Sequence, residues 1–292
     1  MDQLLQVLAN GFVIGGTYAL MAVGLTLIFG YMDLVNFAHG ELYMLGGFAA
    51  YTFIVMAGLP FVLGFPLAIL AVVAFGYVLD RVILKPLRGR GVMVGILTTI
   101  GLAIILQNAA LLIWNPVPKR LPVPIEASAV QLGTVRLAPV QLLAALLALA
   151  IIALAGLFMR RTRLGMAVRA TFQDPEAAGL MGISVDRIYG GTFAGGAGLA
   201  AAGGALLGMV FLITPTMGEV AVLKAFTVVI LGGLGNFLGA AVGGLLVGTV
   251  ESAAATYISA GYKDAIAFVL LILVLVARPQ GILGRAPAVE QT

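Results

Sequence analysis

Cysteine is absent from the 292 residues, and histidine occurs once, as His39. Without thiols there is no disulfide, no thiolate nucleophile and no Cys-ligated metal. One His, no H-E-x-x-H pattern and no paired membrane Asp residues argue against an intramembrane enzyme. No G-x-x-x-x-G-K-[ST] loop is present to cradle ATP phosphates. Charge is scarce as well: Asp, Glu, Lys and Arg make up 10% of the residues, against about 25% in soluble domains. Strand-length alternation is missing, and 62% of the residues are hydrophobic. These absences leave an all-α, polytopic transmembrane bundle, because only helices or closed barrels satisfy their backbone polar groups in lipid.

Two runs, Val92–Trp114 and residues 137–159, are each 23 residues long without a charge. About 20 apolar residues cross the ~30 Å hydrocarbon core as a helix. Similar runs at 4–32, 42–57, 61–79, 188–213, 238–258 and up to 277 bring the expectation to about eight spans in one transmembrane domain, 1–292. The stretch 225–258 is too long for one crossing and short for two, so it is expected to break in LGGLGNFLG (231–239), with a half-helix at 224–234. Glycine, 39 residues, recurs at four-residue spacing in Gly11/Gly15, Gly191/Gly195, Gly204/Gly208, Gly235/Gly239 and Gly244/Gly248. That spacing lets helix backbones approach closely.

The loop 80–91, the segment 160–187 and the tail after Ala277 hold 11 of the 16 Lys and Arg residues. They are therefore expected on the cytoplasmic side, with the N-terminus outside and the C-terminus inside. The basic residues flank apolar runs and form no patch, which points to a lipid bilayer and not to nucleic acid. The start has no Lys or Arg and no small-residue cleavage site after a short apolar core, so no removable signal peptide is expected. Gly40-Glu41-Leu42, Leu45 and Phe48 recur in type and spacing as Gly218-Glu219-Val220, Leu223 and Phe226. An inverted repeat would account for this, the first copy at the inner side and the second at the outer.

Residues 160–187 are the most polar stretch. Arg160, Arg161 and Arg163 are expected to anchor orientation. Asp174-Pro175 reads as an N-cap and first helical residue, Glu176 complements the positive helix start, and Gly182 suits the C′ position. The short helix so defined has an apolar face at Ala177, Leu180 and Met181. That face fits docking on another protein or lying on the lipid surface.

Glu176-Ala177-Ala178 followed by Gly182 resembles the E-A-A-x-x-x-G cytoplasmic loop of ABC importer permeases, without the Ile and Leu-Pro that usually follow. NFAHGE, KAFTVVILGGLGNFLGA and ARPQGILGR together resemble the LivH-type permeases of branched-chain amino-acid ABC importers. The resemblance implies a bacterial inner-membrane subunit that pairs with a second related permease as a heterodimer. It also implies two cytoplasmic ABC ATPase subunits that use ATP and Mg, and a periplasmic substrate-binding protein; no cofactor would be held by this chain. ATPase coupling would then fall to Arg169, Asp174, Glu176, Ala177, Ala178, Leu180, Met181 and Gly182. Relatives resembling this family also serve amides and urea.

Asn36, His39, Glu41, Glu219, Lys224, Gly232, Gly233, Gly235, Asn236 and Glu251 are the candidates for a translocation pathway. Ionisable groups at membrane depth line cavities or pair with one another. His39 and Glu41 fit a helix-end hydrogen-bond network or substrate contact; Lys224 and Glu219 also fit an interfacial position. The glycines at 232–235 fit an unwound pathway segment or tight packing. A stand-alone ion-coupled transporter, with Glu219 or Glu251 as proton site, would explain the break and the repeat but not an apolar helix facing the cytosol.

Overall fold

A computed structural model describes residues 2–32, 35–122, 130–132 and 135–284. Eleven α-helices lie among the described residues: α1 (Asp2–Met32), α2 (His39–Tyr51), α3 (Phe61–Leu79), α4 (Val92–Trp114), α5 (Pro139–Arg161), α6 (Arg163–Gln173), α7 (Pro175–Leu180), α8 (Val185–Val210), α9 (Met217–Gly232), α10 (Phe237–Tyr257) and α11 (Lys263–Ala277). π-Helical turns extend α2 to Met56 and α3 to Leu84. The Pro-rich connection before α5 carries a small antiparallel hairpin, Val130–Leu132 with Val135–Leu137.

Local chemistry sets the helix ends. Pro60 precedes α3 and Pro139 opens α5, where a missing N–H costs nothing. Gly58, Gly91 and Gly233 take positive φ at the breaks. Asn236 caps α10, its Oδ1 accepting from Gly239 N at 3.0 Å.

Seven of these helices are long and apolar enough to cross a membrane, where about eight spans and a half-helix are expected from the sequence. The difference lies in α2 and α9. The apolar run at 42–57 forms only the C-terminal part of α2 and its π extension, which begin at His39. The half-helix expected at 224–234 starts at Met217, seven residues earlier. The helix expected to reach Ile213 ends at Val210, because the backbones of Ile213 and Lys119 exchange hydrogen bonds of 2.8 and 2.9 Å. The fully buried Ile213 side chain also packs over Gly47 and Gly208.

The core is built on α1 and α8, which run antiparallel and nearly touch. A Cβ on Gly24 would lie 2.6 Å from the Gly196 carbonyl oxygen, and a Cβ on Gly196 2.8 Å from that of Gly24. α10 meets α1 in the same manner through Gly11, Gly15, Gly244 and Gly248. These four glycines, with Gly204, Gly208 and Gly239, are therefore packing surface. Gly191 and Gly195 are not, since nothing approaches them within 4 Å and both line an apolar cavity with Leu199.

The two halves of the bundle repeat. Met32 and Val210 end α1 and α8, His39 and Met217 begin α2 and α9, and Leu79 and Tyr257 end α3 and α10; each pair is 178 residues apart. The Gly-Glu pairs share that offset. α8 packs against α3 as α1 packs against α10, and α2 lies on α9. With α1 and α8 antiparallel, this is an inverted repeat of three helices.

The basic segments gather on one face. Lys85 and Arg88 reach Asp186 at the start of α8, at 2.7 and 3.3 Å, which places 80–91 beside 160–187. The turn between α9 and α10 lies against Gly30 and Phe172. Ile282 and Leu283 donate backbone hydrogen bonds to Leu231 and Gly232, drawing the last described residues to the same face. These ion pairs are half-exposed, so each contributes ~0–1 kcal/mol and their value is positional.

Candidate coupling and translocation sites

On the basic face α6 folds back on the end of α5. Thr162 caps it by accepting from Gly165 N at 3.0 Å, and a Cβ on Gly165 would lie 2.5 Å from the Phe158 and Met159 carbonyl oxygens. Val168 and Thr171 form its buried side. The short α7 follows after Asp174, whose Oδ1 accepts from Ala177 N at 2.9 Å. Its other end closes with Gly182 N donating to Gly179 O and Ile183 N to Ala178 O, both at 3.0 Å, with Gly182 at φ 82°. This is the Schellman closure for which a C′ glycine is suited. Ala178 turns inward, whereas Ala177, Glu176 and Arg169 are exposed. Leu180 and Met181 are 90% and 83% exposed. A solvated apolar pair held on a doubly capped turn is unfavourable by ~1.5–3 kcal/mol per side chain relative to burial.

Residues 35–38, before α2, lie within the bundle, where Phe37 N donates to Thr99 Oγ1 of α4 at 3.3 Å. His39, fully buried, sits at the level of Gly24, with Nε2 3.0 Å from the Met21 carbonyl. Asn36 accepts from Ala38 N at 3.1 Å through Oδ1. These two residues form a hydrogen-bond network at the start of α2.

α2 and α9 then meet at their N-termini, with Gly40 against the Gly218 backbone; a Cβ on Gly218 would fall 2.6 Å from Glu41 Oε1. The two Gly-Glu motifs therefore lie together, not at opposite sides of the membrane. The returning segment carries each half-length helix inward before it begins. Buried Glu41 lies beside the start of α9, against Gly218. Glu219 is more open and accepts from Gln107 Nε2 of α4 at 2.9 Å.

Lys224 is buried inside the bundle. It is 7% exposed, and its ammonium donates to Tyr18 Oη at 2.8 Å and Glu251 Oε2 at 2.9 Å, and pairs with Asp264 Oδ1 at 2.8 Å. Its partners come from α1, α10 and α11, so the position is set by tertiary packing, which spacing along α9 does not reveal. Tyr18 also donates to Glu251 Oε2 at 3.0 Å. One wall of the network opens on a cavity of about 500 Å³.

Gly232, Gly233, Gly235 and Asn236 lie apart from these polar groups, at the basic face. Gly232 packs on Gly239, Gly233 on Gly281 and Gly284, and Asn236 Nδ2 donates to Leu283 O at 2.6 Å. The chain's own C-terminal segment covers this turn. Tyr18, Gln107 and Asp264 complete the polar clusters and escape sequence reading. The signal for the first two is a polar group within an apolar run.

Half-length helices meeting inside an inverted repeat, with paired charges at membrane depth, are the architecture of a multi-pass membrane transporter. The chain belongs to the family described as branched-chain amino acid transport system / permease component, whose profile matches residues 7–275. It is 41% identical to the high-affinity branched-chain amino acid transport system permease protein BraD of Pseudomonas aeruginosa, over 98% of this chain and 97% of that protein. Identity to the permease protein LivH of the corresponding Escherichia coli K12 system is 38%, with the same coverage. The probable branched-chain amino acid transport permease LivH of Methanocaldococcus jannaschii is 27% identical, over 95% of this chain and 92% of that protein. No solved structure matches the chain.

Proposed function

We propose that this chain is a permease subunit of an ATP-driven importer and forms half of the translocation pathway for branched-chain amino acids. In this reading it is a single domain, 1–292, with its N-terminus outside and the face bearing 160–187 in the cytoplasm of a bacterial inner membrane. Two separate ATPase subunits, using ATP and Mg, dock on α7, and a periplasmic binding protein delivers the solute on the opposite side. The near full-length likeness to branched-chain amino acid permeases supports the substrate class. The exposed Leu180 and Met181 carry the coupling assignment.

A second, related permease covers the face where Gln107, Asn108 and Glu219 lie open among apolar neighbours. Such polar groups at membrane depth are retained where protein or a water-filled path faces them. The two half-length helices start beside that face, so the pathway runs along it, past Glu219 and Glu41.

The absence of native Cys makes a direct test clean. Leu180→Cys supplies one thiol, and an oxidative cross-link between it and Cys positions engineered around a groove of the ATPase subunit is expected in the assembled complex. A thiol there that reacts with an impermeant reagent added from the periplasmic side would overturn the assignment.

A further inference from the structure

The cavity of about 500 Å³ beside the Lys224 network belongs to neither the coupling helix nor the Glu41–Glu219 meeting point. It lies towards the face opposite the basic loops, between the N-terminal part of α1, the start of α5 and the ends of α8 and α10. Its size is within the ~300–1,000 Å³ of ligand sites, and its walls carry an uneven set of charges.

Two carboxylates, Glu251 and Asp264, share one ammonium, Lys224. Lys224 donates hydrogen bonds to Tyr18 and to Glu251 Oε2 and stands 2.8 Å from Asp264 Oδ1 as an ion pair. Glu251, 3% exposed, lines the cavity, and its Oε1 has no hydrogen-bond partner. A buried carboxylate oxygen without a donor is costly.

The rest of the wall presents donors. Asn10 Oδ1 already accepts from Gln6 Nε2, and Gln141 Oε1 accepts from Ala138 N. Both side chains line the cavity with their amide N–H groups not engaged by those bonds, and the exposed Lys263 stands on its rim. An anionic acceptor, the Glu251 carboxylate, lies within, and groups able to donate to an anion line the rest of the wall.

We propose that this cavity binds a zwitterion, its ammonium group held by Glu251 and its anionic group by Lys263 with the amides of Asn10 and Gln141. A free aliphatic amino acid and the headgroup of an ethanolamine phospholipid both have that chemistry. The proposal rests on charge and donor placement alone, so it stands or falls separately from the importer reading.

The test uses the full chain with its accompanying subunits, in nanodiscs of phosphatidylethanolamine and phosphatidylglycerol. Native mass spectrometry reads lipid retention, and equilibrium binding of radiolabelled L-leucine, without binding protein, reads the solute. Wild type is expected to hold one leucine, or to retain phosphatidylethanolamine over phosphatidylglycerol; whichever probe binds identifies the source. Glu251→Gln should weaken that retention about tenfold, the scale of a charge-assisted hydrogen bond. Because Glu251 also pairs with Lys224, Lys263→Gln on the exposed rim serves as the second variant, with several-fold weaker retention expected and no effect on folding. Failure of both probes, preference for phosphatidylglycerol, or unchanged retention in Lys263→Gln would overturn the proposal.

Discussion

Lys224→Met is expected to destabilise the chain by about 3–5 kcal/mol, the cost of removing one partner from a buried ion pair. The size follows from what remains. Glu251, whose side chain is 3% exposed, would lose its counter-charge, and Tyr18 its donor. Asp264 is 45% exposed and can turn to water, so it contributes little to the loss. Adding Glu251→Gln to Lys224→Met should recover part of the stability, because the stranded anion is gone. Thermal unfolding in detergent of the two single variants and the double variant measures this coupling. Additive losses would show that the three groups do not act as a unit.

Leu180→Asp should abolish uptake and reduce co-purification of the ATPase subunits more than tenfold while the permease itself folds normally. Leu180 is 90% exposed, so the intrachain effect is within about 0.5 kcal/mol, as for other surface substitutions. In a docked interface the same change removes ~1.5–3 kcal/mol of apolar burial and places an unpaired carboxylate in a dry groove. Separation of the two effects is the diagnostic feature: an intact thermal transition together with a lost complex. An unfolded chain, or an intact complex with normal uptake, would each contradict the role assigned to α7.

Much of this architecture is legible in the sequence, for identifiable reasons. Glycine and proline mark the breaks at 58–60, 91 and 233–235 because each restricts or permits particular backbone angles, whatever the surroundings. Asp174 and Gly182 announce both ends of α7, since caps are local hydrogen-bond arrangements. The Gly-Glu echo at an offset of 178 carries the repeat, although only the helix ends display its full register.

What stayed hidden depends on distant chain segments. The starts of α2 and α9 depend on how far the segments before them fold back into the bundle, and hydropathy does not record depth. The partners of Lys224 stand 206, 27 and 40 residues away, at Tyr18, Glu251 and Asp264. No spacing rule joins them. The glycines at 232–235 look alike whether they line a path or pack against one; that Gly232 meets Gly239 and Gly233 meets Gly281 and Gly284 is visible only in the fold.

We propose import of an aliphatic amino acid through this permease, with the power stroke supplied by separate ATPase subunits. Its most direct test is uptake of labelled leucine into proteoliposomes holding the assembled complex, with the binding protein outside and ATP and Mg supplied at the ATPase face. Uptake that requires ATP and the binding protein, and is indifferent to a proton gradient, is the predicted result. Uptake by the permease alone, driven by a proton gradient with no ATPase present, would contradict it.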